Sequence, residues 1–436
     1  MRKSTLKFNT RSRFGVMAVV LSLGSLAADA QTFIHEGVVY KAAGNKLTAQ
    51  RATVKPENGD APGTYAGDIK IPSEISYNGK DYEVTSIAGV FKDMPGLTSI
   101  EIADGVTTIS RGCFQNDSAL VSVKLPADLV TVNGDLFSGC VSLEEITFPG
   151  MTKEIASNQL RGCLGLKKIV FEEGETALEV SSSIFGPDGV NSLPNLTEVV
   201  LNRQIGEKYT ALDDKPFRGS KYLTTVTVGG STKSIPTSYF ESTTALKNVT
   251  IAETVTSLGT NVFAGSGIEE ITLPASITVI PSSTFSGCKS LSSITIPDGI
   301  TSIGTQAFIN CSELSSIVLP ESVANIESSA FRDCSKLNKV YCYAKVAPEC
   351  TDDPGFNYDT AVLYVSESSL DSYRSAKYWS NFATIIDFNS TPTGIEDIRV
   401  DSTDGAVTVY DLQGRKLKSI TKPGFYIVNG EKVYVK

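Results

Sequence analysis

The sequence has one histidine, His35, and one tryptophan, Trp379, in 436 residues. A single imidazole excludes His-Glu-x-x-His zinc chemistry and any site built on two histidine ligands. A Ser-His-Asp or Cys-His triad would have to recruit His35. That residue sits in TFIHEGVVY, an alternating stretch that reads as a surface strand. There is no glycine-rich phosphate loop, no Gly-x-Ser-x-Gly elbow and no Asp-x-Asp-x-Asp-Gly calcium loop. Carboxylates do occur in pairs: Glu144-Glu145, Asp213-Asp214, Glu269-Glu270 and Asp352-Asp353. Neighbours on a strand point to opposite faces, so such a pair does not converge on one ion or one bond. The chain is therefore expected to be a non-enzyme, with no catalytic residue, no cofactor and no metal. Basic residues are also in deficit, 39 against 48 acidic. That balance leaves no electrostatic footprint for nucleic acid.

Long apolar runs are scarce too. One lies at the start, where Arg2, Lys3, Lys7, Arg11 and Arg13 precede FGVMAVVLSLGSL, Phe14 to Leu26, and then Ala28-Asp29-Ala30. A basic stretch, a short apolar core and a small-x-small end form a secretory signal peptide. Cleavage is expected between Ala30 and Gln31, with residues 1–30 removed. A membrane anchor would need about 20 apolar residues, so no transmembrane helix is expected in the mature chain. Losing five basic residues and one acidic one moves the net charge from −9 to about −13 over the remaining 406 residues. The chain is expected to be exported and monomeric.

What the sequence has in abundance is a repeat. A Leu-x-x-Ile-x-Leu phrase, with apolar swaps, starts at Leu97, Leu120, Leu143, Leu166, Leu196, Leu223, Leu246, Ile268, Leu291, Leu314 and Leu337. The intervals are 23, 23, 23, 30, 27, 23, 22, 23, 23 and 23 residues. A second, shorter apolar pair follows in each unit (Val106/Ile109, Ile300/Ile303, Val323/Ile326), then a Phe. The Phe column runs Phe91, Phe114, Phe137, Phe217, Phe240, Phe263, Phe285, Phe308, Phe331, with Leu160 and Phe185 in the intervening coils. One unit cannot bury this many apolar side chains alone, whereas stacked units turn each column into a continuous core. Parallel strands about 4.8 Å apart give an array of roughly 50 Å. The fold class is a β-rich repeat solenoid: a right-handed leucine-rich repeat of about 11 coils.

A cysteine recurs three residues after the Phe, at Cys140, Cys288, Cys311 and Cys334, and after Leu160 at Cys163, while Cys113 stands one residue before Phe114. The same column also holds Met94, Asp117, Ser220, Thr243 and Ser266. A required ligand would not be exchanged so freely, so free, buried thiols are expected. Cys342 and Cys350 lie outside the column and are the candidate disulfide.

The pattern LPxxITxIxxxxFxxCxxLxxI resembles the 23-residue leucine-rich repeats of BspA-like, Treponema-type surface proteins. That resemblance implies a bacterial cell-surface or secreted protein that adheres to host matrix proteins or to other cells. The end of the chain, GFYIVNGEKVYVK in particular, resembles C-terminal sorting domains of the type IX secretion pathway, which implies passage through an outer membrane.

Five segments are expected: signal peptide 1–30, N-terminal β cap 31–82, solenoid 83–343, C-terminal cap 344–388, and linker plus β tail 389–436. The first cap reads as short antiparallel strands. In the second, AVLYV reads as a strand and SSLDSYRSAKYWSNF as a helix begun by a capping box from Ser368 to Asp371, with Trp379 sealing the last coil. NSTPT, residues 389–393, is a polar linker, and Asn429-Gly430 marks a hairpin in the tail. About 43 residues of strands make only a marginal core by themselves.

Strand alternation also predicts which residues face out. The outward column holds Thr227, Thr250, Thr272 and Thr295 on successive coils, a flat, uncharged, hydroxyl-bearing stripe that could meet a protein partner. Insertions at 172–195 and 202–219 are a second candidate, since repeat insertions map to loops on one side. The sequence points first to protein–protein binding or adhesion. Glycan or nutrient capture, and a structural envelope spacer, are the alternatives.

Overall fold

The computed structural model describes residues 32–50, 65–206 and 215–388, with four strands of the C-terminal segment. Ala30, Gln31, the polar linker and part of the second insertion lie outside the described residues.

Alternation of apolar and polar residues produces two parallel faces. The long face has fourteen strands: Ala66–Ile71, Gly96–Ile102, Ser122–Lys124, Glu145–Phe148, Lys168–Phe171, Glu198–Leu201, Thr225–Val228, Asn248–Ile251, Glu270–Thr272, Ser293–Thr295, Ser316–Leu319, Lys339–Cys342, Val362–Val365 and Thr384–Asp387. Each repeat phrase supplies one of these strands, as the period requires. In register, Ile146 meets Ile169, Val199, Val226 and Val249 on successive coils. The short apolar pairs form the opposite face, in strands such as Thr108–Ile109, Val279–Ile280, Ser302–Ile303 and Asn325–Ile326. Between the faces lies one continuous core.

The Phe column is a stack. Phe240, Phe263, Phe285, Phe308, Phe331 and Phe356 follow one another with ring centroids 4.7–6.0 Å apart and planes within 15°. All but Phe356, which is 5% exposed, are completely buried. Offset stacking of this kind adds about 0.5–1.5 kcal/mol per pair beyond burial. The chain turns sharply between Phe and Cys, and the residue before the Cys has positive φ: Gly139, Gly162 and Gly287, but also Asn310 and Asp333 at 61°. Glycine, asparagine and aspartate tolerate that backbone best, which explains their recurrence there.

Both ends depart from expectation. Ala66–Ile71, expected in an antiparallel cap, pairs in parallel with Gly96–Ile102 and opens the long face. Its Ile69 and Ile71 align with Ile100 and Ile102, so its pattern already fits the ladder. The remaining cap strands are antiparallel at Thr32–His35/Val38–Ala43/Lys46–Gln50 and at Glu74–Tyr77/Lys80–Ala88. At the other end Val362–Val365 and Thr384–Asp387 continue the parallel ladder. The expected helix is only Leu370–Ser375, between single 3-10 turns at Glu367–Ser369 and Trp379–Asn381. Ser369, not Ser368, begins it, without a side-chain cap, and Tyr378 at φ 66° breaks its continuation. Trp379 does seal the last coil: it is 1% exposed and its Nε1 donates to Pro348 O at 2.8 Å.

Candidate interaction face

The cysteine column is a row of hydrogen-bonded rungs. Each thiol donates to the carbonyl of the Phe one coil back: Cys140 to Phe114, Cys163 to Phe137, Cys288 to Phe263, Cys311 to Phe285 and Cys334 to Phe308, at 3.0–3.2 Å. All five side chains are completely buried. Burial pushes the Cys288 thiol up to about 11 and the Cys163 thiol up to about 12. A thiol held protonated is neither nucleophile nor metal ligand. Two of the other occupants also bond to backbone. Thr243 Oγ1 donates to Phe240 O at 2.6 Å, and Asp117 Oδ1 accepts from Met94 N at 2.7 Å.

The expected Cys342–Cys350 bridge is not formed: both thiols are free. Cys342 ends a long-face strand and points into the core, where the Tyr373 hydroxyl lies 3.0 Å from its sulfur. Cys350 ends a strand of the opposite face, its Sγ 3.7 Å from Pro348 O. Among the described residues no group of three or more His, Cys, Asp or Glu is placed to hold a metal. No described helix is long and apolar enough to cross a membrane.

The outward column of the long face falls into three zones. The first is charged and self-neutralised. Lys70 and Lys124 flank Glu101, each at 2.9 Å, and their hydrogen bonds hold its carboxyl down to about 2. The middle zone is short and uncharged: Thr147, Val170, Val200, Thr227 and Thr250 are in register, as are Thr272 and Thr295. Thr250 and Thr272 are exposed, and Thr227 and Thr295 half-buried. The structure thus brings the four predicted threonines onto neighbouring strands of one face. The last zone is aromatic. Tyr341 stacks on Tyr364 at 4.5 Å, and Tyr343 on Phe388 at 4.7 Å. Strand alternation in the last repeat predicts an outward Tyr341, whereas Tyr364 and Phe388 lie beyond the repeat and escape that reading.

The insertions are anchored by a residue that sequence reasoning missed. Arg203 is completely buried, and its guanidinium donates to Gly150 O at 2.7 Å, Pro149 O at 3.3 Å and Thr176 O at 2.6 Å. No carboxylate takes part in these bonds; carbonyls of two earlier coils take both terminal nitrogens, while the buried Nε has no partner. A lone arginine in an insertion reads as solvated charge, and nothing in the sequence marks it otherwise.

A family model of known repeats agrees with this architecture. Six copies of the BspA type leucine-rich repeat region match residues 85–206 and 210–338. That is more than half of the chain, and the protein belongs to this family. No curated protein matches it. Among solved structures it is similar to a leucine-rich repeat protein from Bacteroides ovatus, at 20% identity over 84% of this chain and 100% of that one, with a TM-score of 0.35. It is also similar to a leucine-rich cell surface protein from Faecalibacterium prausnitzii, at 23% identity over 72% and 96%, TM-score 0.29. The pneumococcal vaccine antigen PcpA matches at 19% identity over 83% and 99%, TM-score 0.33.

Proposed function

We propose that this chain is an exported, non-enzymatic cell-surface protein that binds a protein partner through the outward side of its long face. The observation that carries the proposal is the uncharged stripe of Thr227, Thr250, Thr272 and Thr295 on adjacent parallel strands. Several charges elsewhere on the face are paired within the molecule, at Lys70–Glu101–Lys124 and Lys168–Glu198. Short β-branched side chains present a level surface that loses little rotamer freedom on contact. Membership of the BspA type family supports a surface role. The signal-like N-terminus and the sorting-like C-terminal sequence support export, with matrix or cell-surface proteins as the partner class and the monomer as the working unit.

The test is binding of the mature chain to immobilised host matrix proteins and to host cells. Saturable binding to at least one is expected, weakened at least about tenfold when Thr250→Lys and Thr272→Lys bring two charges into the interface without touching the core. Failure to bind any member of a broad panel, or binding indifferent to both lysines, would count against the reading.

A further inference from the structure

Asp117 puts a carboxyl into the column that elsewhere carries thiols and hydroxyls. It is completely buried; its Oδ1 accepts from Met94 N at 2.7 Å, and its Oδ2 has no partner. The five thiols of the column and Thr243 all donate to backbone carbonyls. A protonated carboxyl can donate as they do, whereas a carboxylate only accepts. A buried carboxylate with an orphaned oxygen also bears the cost of leaving water without a partner. The titratable groups that face it are Asp93, Cys113 and Cys140, and none is a cation. Burial raises the Asp117 carboxyl to about 8, opposed by the bond from Met94 N and helped by Asp93.

The corner that Asp117 closes is also where the amino-terminal cap is fastened to the repeats. Met94 is completely buried and held from two sides: its N donates to Asp117, and its Sδ accepts from Tyr65 N at 3.3 Å. Tyr65 immediately precedes the first long-face strand, Ala66–Ile71, and its ring lies 5.0 Å from that of Phe91. Alongside, Asp93 N donates to Gln115 O at 2.8 Å, and Asn116 Nδ2 donates to Asp93 Oδ1 at 2.8 Å. The run Tyr65–Met94–Asp117 therefore ties the cap and the first two coils together through one carboxyl.

We infer that Asp117 is a proton-operated latch for the amino-terminal end of the solenoid: with its proton the corner at 91–97 stays closed on 114–117, and without it the corner opens and loosens the strand at 66–71. The opened site releases its proton near pH 4, the closed site only near pH 8. The folded value lies above the unfolded one, so closure is firmest below about pH 4, weakens as pH rises, and changes no further above about pH 8. One proton released on opening raises the opening constant up to about tenfold per pH unit within that window. Glu101, on the same coils, is held down to about 2 by Lys70 and Lys124. It acts in the opposite sense and at more acidic pH, so the range from about pH 5 to 8 isolates Asp117. The threonine stripe lies several coils away, and the inference does not depend on the proposed partner.

Hydrogen exchange on the full mature chain at about pH 5, 6.5 and 8, with each rate divided by its intrinsic rate at that pH, tests it. Opening at amides 66–71 and 91–102 is expected to rise at least about a hundredfold from pH 5 to pH 8 in the parent. It should rise less than about threefold in Asp117→Asn and in Asp117→Cys, which restores the column's usual residue; either variant suffices if the other fails to fold. Strands 293–319 should be unchanged in all three. An infrared band of a protonated carboxyl at about pH 6.5, absent from both variants, should report the retained proton directly. No pH dependence in the parent, equal pH dependence in parent and variants, or no such band in the parent overturns the latch. A rise equally large at 293–319 assigns the effect to global unfolding and also overturns it.

Discussion

Two stretches of this solenoid solve the same problem differently. From Ile268 to Leu337 every interval is 23 residues, and coils are joined by repeated columns: stacked Phe rings, thiol-to-carbonyl bonds and parallel strands. From Leu166 to Leu223 the intervals are 30 and 27 residues, and the Cys column is empty of cysteine. There the joining is done by particular polar side chains. Arg203 reaches carbonyls of two earlier coils; Gln204 Oε1 accepts from Lys233 N and Ser234 N, both at 3.0 Å; Ser231 Oγ donates to Gly174 O at 2.8 Å. The regular stretch shares its load among like rungs, each coupled to its nearest neighbours. The irregular stretch depends on single residues, which should make its failures local.

The largest effect should come from Phe308→Ala. It opens a cavity in the middle of the stack and is expected to cost about 3–5 kcal/mol. Because the lost contacts lie between coils, melting of the whole regular stretch should fall. A loss confined to one coil would break the comparison.

Arg203→Met should follow, at about 3 kcal/mol, since the Pro149, Gly150 and Thr176 carbonyls lose their donor in a partly buried setting. Hydrogen exchange should show the opening around residues 149–180, with strands 293–319 unaffected. Uniform destabilisation would erase the distinction between the two stretches.

Asp117 sharpens the comparison within the column. It is completely buried, its Oδ2 has no partner, and burial pushes its carboxyl up to about 8. The folded state thus keeps a proton that the unfolded chain releases near pH 4. Stability from this group is full below that pH and declines as pH rises to about 8, by on the order of a few kcal/mol. Asp117→Asn keeps an acceptor for Met94 N and should flatten the slope in denaturant titrations at several pH values. An unchanged slope would assign it to other groups.

The smallest expected effect is a gain. Ser242 holds φ at 60° where other coils place Gly, so Ser242→Gly should stabilise by about 1 kcal/mol. A loss would mean that the serine side chain contributes more than its backbone costs.

Much of this architecture is legible in the sequence, because a 23-residue period carries its own geometry. The inward Ile and Leu columns, the Phe stack, the thiol column and the threonine stripe all follow from period and parity. AVLYV is legible as a strand, but its place in the parallel ladder and the strand Thr384–Asp387 escape, because neither follows a Phe-x-x-Cys corner. The helix is overestimated because its apolar spacing cannot reveal that Tyr378 turns to positive φ. Arg203 is invisible because its partners are backbone carbonyls, which carry no sequence signature. The Cys342–Cys350 pairing fails because closeness in sequence says nothing of the core that separates two faces of a coil.

The central claim is that the recurring residues are rungs of a ladder and carry no chemistry of their own. Mass spectrometry after alkylation, without reductant, tests it most directly. In the native protein Cys140, Cys163, Cys288, Cys311 and Cys334 should remain unlabelled, and after unfolding all eight cysteines should be labelled. A bridge within the column, or a column thiol alkylated in the folded protein, would contradict the account.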